Sequence, residues 1–278
     1  MSADFEHQPT TLPPVTGRTL PRVIAVANQK GGVGKTTTSI NTAAALATLH
    51  QRVLLIDLDP QANASSGLGL DVRSLENTIL DVLIDELPLT DAITPTEIPG
   101  LSVAASNLRL ADAEMSMYSM LARETRLKNA VDQVRHNFDY IIIDCPPSLG
   151  LLTLNALCAA QEVLIPIQCE YFALEGVGQL LENVLRIRRS GLNPHLEVSS
   201  IVCVMYDGRT NLAEEVVTEI RQHFGSTVLK TVVPRNIRLS EAPKYGMPII
   251  TYDPTSRGAI AYLDIAQEVH DGSQPTTR

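Results

Sequence analysis

Three glycines and two lysines are concentrated in the stretch KGGVGKTTT, from Lys30 to Thr38. Glycine lets a backbone turn tightly and aim its N–H groups inward, and a helix that starts near Lys35 adds the positive end of its dipole. A loop of this kind binds the phosphates of a nucleotide. Because an apolar run precedes the loop and a helical pattern follows it, the sequence favours a phosphate-binding loop over a turn without a ligand.

The stretch departs from the general pattern GxxxxGK[ST], because Gln29 stands where the first glycine is expected. We expect Lys35 to reach the β- and γ-phosphates, and the Thr36 hydroxyl to bind Mg²⁺. Thr37 is expected to hydrogen-bond the α-phosphate. The predicted nucleotide-binding residues of the loop are Lys30, Gly31, Gly32, Val33, Gly34, Lys35, Thr36 and Thr37.

Three aspartates follow apolar runs that read as strands. Asp57 and Asp59 lie in LLIDLDPQANAS, and Asp144 lies in YIIIDCPPS. One aspartate at a strand end can simply cap a turn. Three of them in a chain with a phosphate loop favour a Mg²⁺ site, because open α/β sheets bind ligands at the carboxyl ends of their strands.

The elements that must position these residues alternate along the chain. Strands are predicted over 23–28, 53–59, 140–144, 163–168 and 198–205, and helices over 36–49, 75–84, 123–134, 174–189, 212–224 and 259–269. Continuous apolar strands separated by helices indicate an α/β fold with a mainly parallel twisted sheet and helices on both faces. We therefore predict a fold of the P-loop NTPase type.

Length and composition agree with a single domain. The chain has 278 residues, 44% of them hydrophobic and 4% aromatic, so Ala, Leu, Val and Ile must build the core. We expect the domain to cover residues 21–270, with flexible tails over 1–20 and 271–278. The pattern between residues 70 and 121 is the least regular.

Charge, cysteines and hydropathy exclude several functions. The net charge of −9 argues against unselective coating of nucleic acid, although residues 186–257 carry ten Lys or Arg against seven Asp or Glu. Zinc-like spacing is lacking among Cys145, Cys158, Cys169 and Cys203, which we expect to be buried reduced thiols. Neither a membrane span nor a signal peptide is indicated, so a cytoplasmic protein without membrane contact is expected.

Over about residues 22–269, the chain resembles the chromosomal ParA (Soj) partition ATPases of the ParA/MinD superfamily. The stretches that carry the resemblance are NQKGGVGKTTT, VLLIDLDPQANASSGLG, YIIIDCPPSLGLLTLNAL, YFALEGVGQLL, DGRTNLAEEV and VPRNIRLSEAPKYGMPIITYDPTSRGAIAYLDIAQEV. The resemblance implies ATP and Mg²⁺ as cofactors, an ATP-sandwich homodimer, and non-specific binding of double-stranded DNA by that dimer. It also implies association with the nucleoid and slow ATP hydrolysis, stimulated by a ParB-type centromere-binding protein, for partitioning of a chromosome or plasmid.

The resemblance assigns roles to individual residues. Lys30 matches a lysine that crosses to the phosphates of the other subunit, and Asp59 matches the residue that orients the attacking water. Asp144 matches the Walker B aspartate, and Asp57 a residue near Thr36 and the metal. The implied catalytic set is Lys30, Lys35 and Asp59, and the implied metal set is Thr36, Asp57 and Asp144.

Two further groups are implied. Pro234, Arg235 and Asn236 match a segment that lies at the adenine. Arg209 and Arg238 match positions that contact DNA. Weaker candidates for DNA contact are Arg189, Lys230, Arg235 and Lys244.

Three other interpretations compete. The first is a MinD-like or other cargo-positioning ATPase of the same superfamily. A MinD-like protein that cycles on membranes needs a basic amphipathic C-terminal helix, which DGSQPTTR does not form. An iron–sulfur carrier on the same fold needs paired cysteines at a dimer interface. A scaffold that dimerises on ATP without hydrolysing it would not need Asp59, so the presence of Asp59 favours hydrolysis. Only about twenty residues precede the first predicted strand, so we do not expect a helix-turn-helix domain there.

Overall fold

The computed structural model describes residues 18–170 and 175–274. The strands within these residues are β1 (Arg18–Thr19), β2 (Arg22–Val26), β3 (Val53–Asp57), β4 (Ile93–Pro95), β5 (Leu101–Ala104), β6 (Tyr140–Asp144), β7 (Glu162–Gln168), β8 (Glu197–Val204) and β9 (Ser273–Gln274). The α-helices are α1 (Lys35–Thr48), α2 (Asn63–Ser66), α3 (Ile79–Ile84), α4 (Leu110–Met117), α5 (Arg126–Val134), α6 (Leu151–Ala159), α7 (Glu175–Ser190), α8 (Asn211–Phe224), α9 (Ile237–Glu241), α10 (Ile249–Tyr252) and α11 (Arg257–Asp271). Short 3₁₀ helices cover Leu89–Ala92, Arg135–Asn137, Gly225–Thr227 and Ala242–Tyr245.

A seven-stranded sheet forms the centre of the molecule, in the order β4-β5-β3-β6-β2-β7-β8. All neighbours run parallel except β4, which is antiparallel to β5. One buried core packs α3 to α8 on one face, and a second packs α1, α9, α10 and α11 on the other. The predicted α/β fold with a mainly parallel sheet and helices on both faces is therefore confirmed.

The carboxyl ends of the central strands meet at one edge of the sheet. In the β3–β6 register Asp57 lies opposite Asp144, and in the β2–β6 register Val26 lies opposite Asp144. Every residue of β2, β3 and β6 is buried, as the apolar runs predict. The chain segments that leave these strands, which include the phosphate loop, are thus brought to the same edge.

Some element boundaries differ from the prediction. The strands predicted to end at residues 28 and 59 end at Val26 and Asp57, because the chain turns away from the sheet there. The helix predicted from residue 75 begins at Ile79, because Thr78 and Asp81 form a reciprocal cap in which the Thr78 N–H donates to Asp81 at 2.7 Å. The helix predicted from residue 123 also begins later, at Arg126.

Several elements were not predicted. Helix α6 is buried nearly all round, so its sequence lacks the polar face that marks an amphipathic helix. The region between residues 70 and 121 contains β4, β5 and α4, which are all short.

The predicted tails, residues 1–20 and 271–278, lie mostly outside the described residues, as does Leu174 at the predicted start of the helix over 174–189. Within the described part, β1 pairs in parallel with β9, Arg18 opposite Ser273 and Thr19 opposite Gln274. The domain boundaries stay a prediction. No helix in residues 18–170 and 175–274 is long and apolar enough to span a bilayer.

Candidate functional site

The glycine loop joins β2 to the start of α1. Gly32 and Gly34 both have φ of 75°, a left-handed conformation that favours glycine. A Cβ atom at Gly31 or Gly32 would meet no atom within 4 Å, so this side of the loop faces open space. The loop thus offers its backbone to a ligand at the N-terminus of α1, where a phosphate is favoured.

Asn28 fixes the start of this loop, and the sequence analysis missed it. Its Nδ2 donates to the Pro166 carbonyl of β7 at 2.8 Å, while its Oδ1 accepts from the Lys30 N–H at 3.0 Å. The Lys35 ammonium donates to the Lys30 carbonyl at 3.2 Å. Burial lowers the pKa of Lys35, and the nearby Asp144 carboxylate opposes that shift. The lysine charge is therefore held against the loop.

Two hydroxyls of α1 hold the Asp144 carboxylate. Thr36 Oγ1 donates to Asp144 Oδ2 at 2.8 Å, and Ser39 Oγ lies 2.7 Å from Asp144 Oδ1. The structure therefore brings together the predicted Thr36 and Asp144. Ser39 was missed, although it lies three residues after Thr36 and so on the same side of the helix.

Asp57 is the last residue of β3, and Asp59 lies on the turn that follows it. Asp57 Oδ1 accepts from the Asp59 N–H at 3.1 Å, and Asp57 Oδ2 accepts from the N–H and the hydroxyl of Ser65 at 2.9 and 2.7 Å. Asp59 Oδ1 accepts from the Gln61 N–H at 3.0 Å. Both oxygens of Asp57 thus have partners within the protein, and these partners could not be predicted from residue spacing.

Burial raises the pKa of both Asp57 and Asp144, because a charged carboxylate loses its hydration there. Asp144 is raised further by the charge of Asp57, its neighbour across the two strands. A divalent cation at this edge would stabilise the charged forms of both.

The donors at this edge are hard oxygen atoms, which suit Mg²⁺. Within the described residues, no group of three or more His, Cys, Asp or Glu side chains could hold a metal alone. Mg²⁺ commonly keeps several waters and takes one or two carboxylates plus phosphate oxygens. The residues present therefore fit a Mg²⁺ ion that arrives with a nucleotide.

A cavity of about 170 Å³ continues from the loop toward the segment predicted to lie at adenine. Two backbone hydrogen bonds join its walls, from the Tyr206 N–H to the Val233 carbonyl at 3.0 Å and from the Arg235 N–H to the Tyr206 carbonyl at 2.9 Å. Its lining is Gly34, Thr37, Val204, Met205, Val233, Pro234, Arg235, Asn236, Leu239, Ser240 and Tyr262. The cavity and the phosphate loop thus form one continuous site with a largely apolar end, as a nucleoside requires.

Lys30 lies at the rim of the site. Its Nζ is 3.2 Å from Glu170 Oε2, and the two side chains are 40% and 48% exposed. The predicted cross-subunit lysine is therefore at the surface rather than folded into its own phosphate loop.

Arg209 and Arg238 are exposed, and each is paired with an acid of its own chain. Arg209 binds Asp207 through two hydrogen bonds of 2.8 and 2.6 Å, which lower the pKa of Asp207 to about 2. Arg238 lies 3.0 Å from Glu241 and 3.6 Å from Asp253. Asp207, Glu241 and Asp253 are among the seven acids counted over residues 186–257, so the excess of positive charge there comes from other basic residues.

Two of the weaker candidates for DNA contact, Arg189 and Lys230, lie away from these two arginines, whereas a third, Arg235, lies near Arg209. Arg189 lies in the last turn of α7, which leads to the start of β8 and hence to the opposite edge of the sheet. Lys230 lies beside the middle of β8, because the N–H of the preceding residue, Leu229, donates to the Ile201 carbonyl of that strand. Arg235 lies close to Tyr206 and so near Arg209.

All four cysteines are buried and free, as expected. Burial raises the pKa of Cys158 to about 11. These thiols do not present the paired surface cysteines that an iron–sulfur carrier needs.

The chain is similar to known proteins. A family model described as an AAA domain matches residues 21–198. The sporulation initiation inhibitor protein Soj of Bacillus subtilis is 52% identical over 248 residues, which cover 89% of this chain and 98% of that protein. The chromosome partitioning protein ParA of Caulobacter vibrioides is 49% identical over 250 residues, which cover 89% and 93%.

Solved structures share the fold. A crystal structure described as cobyrinic acid a,c-diamide synthase from Mycobacterium smegmatis, with a bound ATP analog and magnesium, has a TM-score of 0.78 and 38% identity, and the match covers 89% of this chain and 93% of that one. The nucleotide and the metal in that structure are those expected for the site described above.

Proposed function

The chain belongs to the ParA (Soj) family of chromosome-partitioning ATPases, and on this premise we propose that it is a DNA-segregation ATPase. It binds ATP with Mg²⁺, forms a nucleotide-sandwich homodimer, and the dimer binds double-stranded DNA without sequence preference. Hydrolysis is slow until a ParB-type partner stimulates it, and the cycle positions a chromosome or plasmid on the nucleoid. The observation that carries the proposal is the continuous site in which the glycine loop, the Thr36–Asp144 pair and the cavity beside Pro234 meet.

In the nucleotide-bound state, Lys35 neutralises the β- and γ-phosphates, and the loop N–H groups bind them. The base occupies the cavity against Pro234, Arg235 and Asn236. Mg²⁺, when bound, neutralises charge on the β- and γ-phosphates. Thr36, Asp57 and Asp144 would hold it, the two carboxylates through water, because both oxygens of each carboxylate already accept hydrogen bonds.

Asp59 orients the attacking water. The carboxylate is only 9% exposed, and the Gln61 N–H fixes its Oδ1 at 3.0 Å. Within the described residues, Asp59 Oδ2 has no hydrogen-bond donor, so it can accept from a water molecule. Because this contact is made to the attacking water, it contributes to the transition state more than to ATP binding.

Lys30 completes the second site of the dimer. Its ion pair with Glu170 is half-exposed, and such pairs contribute about 0–1 kcal/mol, so the lysine is released at little cost. In the dimer its ammonium reaches the phosphates of the other subunit and stabilises transition-state charge as an arginine finger does.

The net charge of −9 repels DNA, so the dimer can bind DNA only through a local cluster of basic side chains. One subunit contributes few cations, and joining two subunits makes the second contact effectively intramolecular. DNA phosphates replace Asp207 beside Arg209 and Glu241 beside Arg238. Contacts to phosphate carry no base sequence and weaken with salt.

ATP hydrolysis by the wild-type protein and by Asp59→Ala tests the proposal. We expect the variant to bind ATP and dimerise but to lose turnover by about 100-fold or more. Asp71→Ala is the matched control, because Asp71 is exposed on a nearby turn and, among the described residues, its carboxylate accepts only from the Arg73 N–H. Normal phosphate release by Asp59→Ala would refute the role of Asp59, and no release by the wild type with DNA and partner present would favour the scaffold.

A further inference from the structure

Ser65 occupies a buried position between the Asp57 carboxylate and the chain beyond β5. Its hydroxyl donates to Asp57 Oδ2 at 2.7 Å and accepts from the Ser106 N–H at 3.1 Å. Its own N–H donates to the same Asp57 oxygen at 2.9 Å. Ser65 has a relative exposure of 0%, so its hydroxyl uses its proton and one lone pair in hydrogen bonds within the protein.

The hydrogen bonds between Ser65 and Asp57 also affect Asp59. The other oxygen of Asp57 accepts the Asp59 N–H at 3.1 Å, so one carboxylate fixes both ends of the turn between β3 and α2. The turn includes Ala62 at φ 53°, a left-handed conformation that a non-glycine residue adopts only when its surroundings hold it. The orientation of Asp59 therefore depends on where the Asp57 carboxylate is held.

The chain beyond β5 anchors Ser65 in turn. The Ala105 carbonyl accepts the Ile79 N–H at 2.8 Å, and Asn107 Nδ2 donates to Thr78 Oγ1 at 2.9 Å. This segment is thus tied to the capped N-terminus of α3. Its link to Ser65 is a backbone N–H, whereas the Ser106 hydroxyl is buried without a hydrogen-bond partner among the described residues.

We propose that Ser65 is a positioning residue for ATP hydrolysis: held by the Ser106 N–H, it fixes the Asp57 carboxylate and thereby the turn that carries Asp59. The inference rests on the proposed ATPase function. Ser65 is fully buried, so it acts by positioning Asp57 rather than by binding nucleotide. Its loss leaves the phosphate loop and the base cavity intact, so turnover falls while ATP binding is retained.

The test compares Ser65→Ala, Ser65→Thr and Ser106→Ala in the full chain. Measurements are kcat for phosphate release, Kd for a fluorescent ATP analogue with Mg²⁺, and the unfolding midpoint. We expect Ser65→Ala to lower kcat about 10- to 100-fold with an almost unchanged Kd, and Ser65→Thr, which keeps the hydroxyl, to restore kcat. Ser106→Ala removes a buried hydroxyl without removing the N–H link, so its kcat should equal that of the wild type.

A stabilising role without positioning gives a different result. In that case Ser65→Ala lowers the unfolding midpoint but leaves kcat per folded molecule at the wild-type value, which overturns the proposal. A kcat loss shared by Ser106→Ala, or one that Ser65→Thr does not restore, overturns it as well.

Two further outcomes are distinguishable. If Ser65→Ala does not fold, Ser65→Cys keeps a similar volume with a weaker donor, and the same fall in kcat is expected. Wild-type kcat in that variant overturns the inference. Absence of turnover in the wild type itself refutes the proposed function together with the inference, whereas an active wild type with an equally active Ser65→Ala refutes the inference alone.

Discussion

The two lysines of the glycine loop should fail in different ways when each is changed to alanine. Lys35 lies 3.2 Å from the Lys30 carbonyl and is buried, so Lys35→Ala removes a charge that is held at the phosphates. A hydrogen bond to a charged group contributes about 1.5–3 kcal/mol, which corresponds to a loss of about 10- to 150-fold in ATP affinity. Lys30 is 40% exposed and paired with Glu170, so Lys30→Ala should change the unfolding free energy by less than about 1 kcal/mol.

The assay combines nucleotide titration of the monomer with gel filtration in ATP and Mg²⁺. We expect Lys30→Ala to bind ATP almost as the wild type does but to elute as a monomer, and Lys35→Ala to lose nucleotide binding first. Glu170→Ala is the control, because it breaks the same ion pair and leaves the lysine in place, so it should still dimerise. Full dimerisation of Lys30→Ala would show that this lysine does not cross between subunits.

Two other changes have predictable effects. Gly246 has φ 66°, and a Cβ there would lie 2.7 Å from Gly69 Cα, so Gly246→Ala should lower the unfolding free energy by about 2–5 kcal/mol in thermal denaturation. Gly191→Ala, at φ 79° with no atom within 4 Å, should cost only about 1–2 kcal/mol, and equal costs would exclude a steric effect. The double change Arg209→Ala, Arg238→Ala should abolish DNA binding in a shift assay while ATP-dependent dimerisation persists, and Arg52→Ala, which breaks a comparable exposed pair with Asp139, should not. Retained DNA affinity in the double variant would place the DNA surface elsewhere.

The fold and the phosphate site could be predicted because their signals are local. Strands such as Val53–Asp57 are buried on both faces and therefore read as apolar runs, and the loop carries glycines where φ is positive. The aspartates could be placed at one edge because parallel strands deliver their carboxyl ends together.

The supporting residues could not be predicted in the same way. Ser65 and Asn28 act through hydrogen bonds to residues far along the chain, at Ser106 and Pro166, and no spacing in the sequence reports such pairs. Helix α6 was missed because burial on all sides removes the periodicity that identifies a helix. The pairing of Arg209 and Arg238 with acids could not be predicted either, because the count of charges over residues 186–257 includes those acids without showing which groups pair.

DNA co-sedimentation of the wild-type protein with ATP, with ADP and without nucleotide, each at low and high salt, tests the central claim most directly. The account predicts DNA binding with ATP and Mg²⁺ only, with the same affinity for unrelated base sequences. The logarithm of that affinity should fall linearly with the logarithm of the salt concentration. Equal DNA affinity in all three nucleotide states would contradict the claim that ATP builds the dimer that binds DNA.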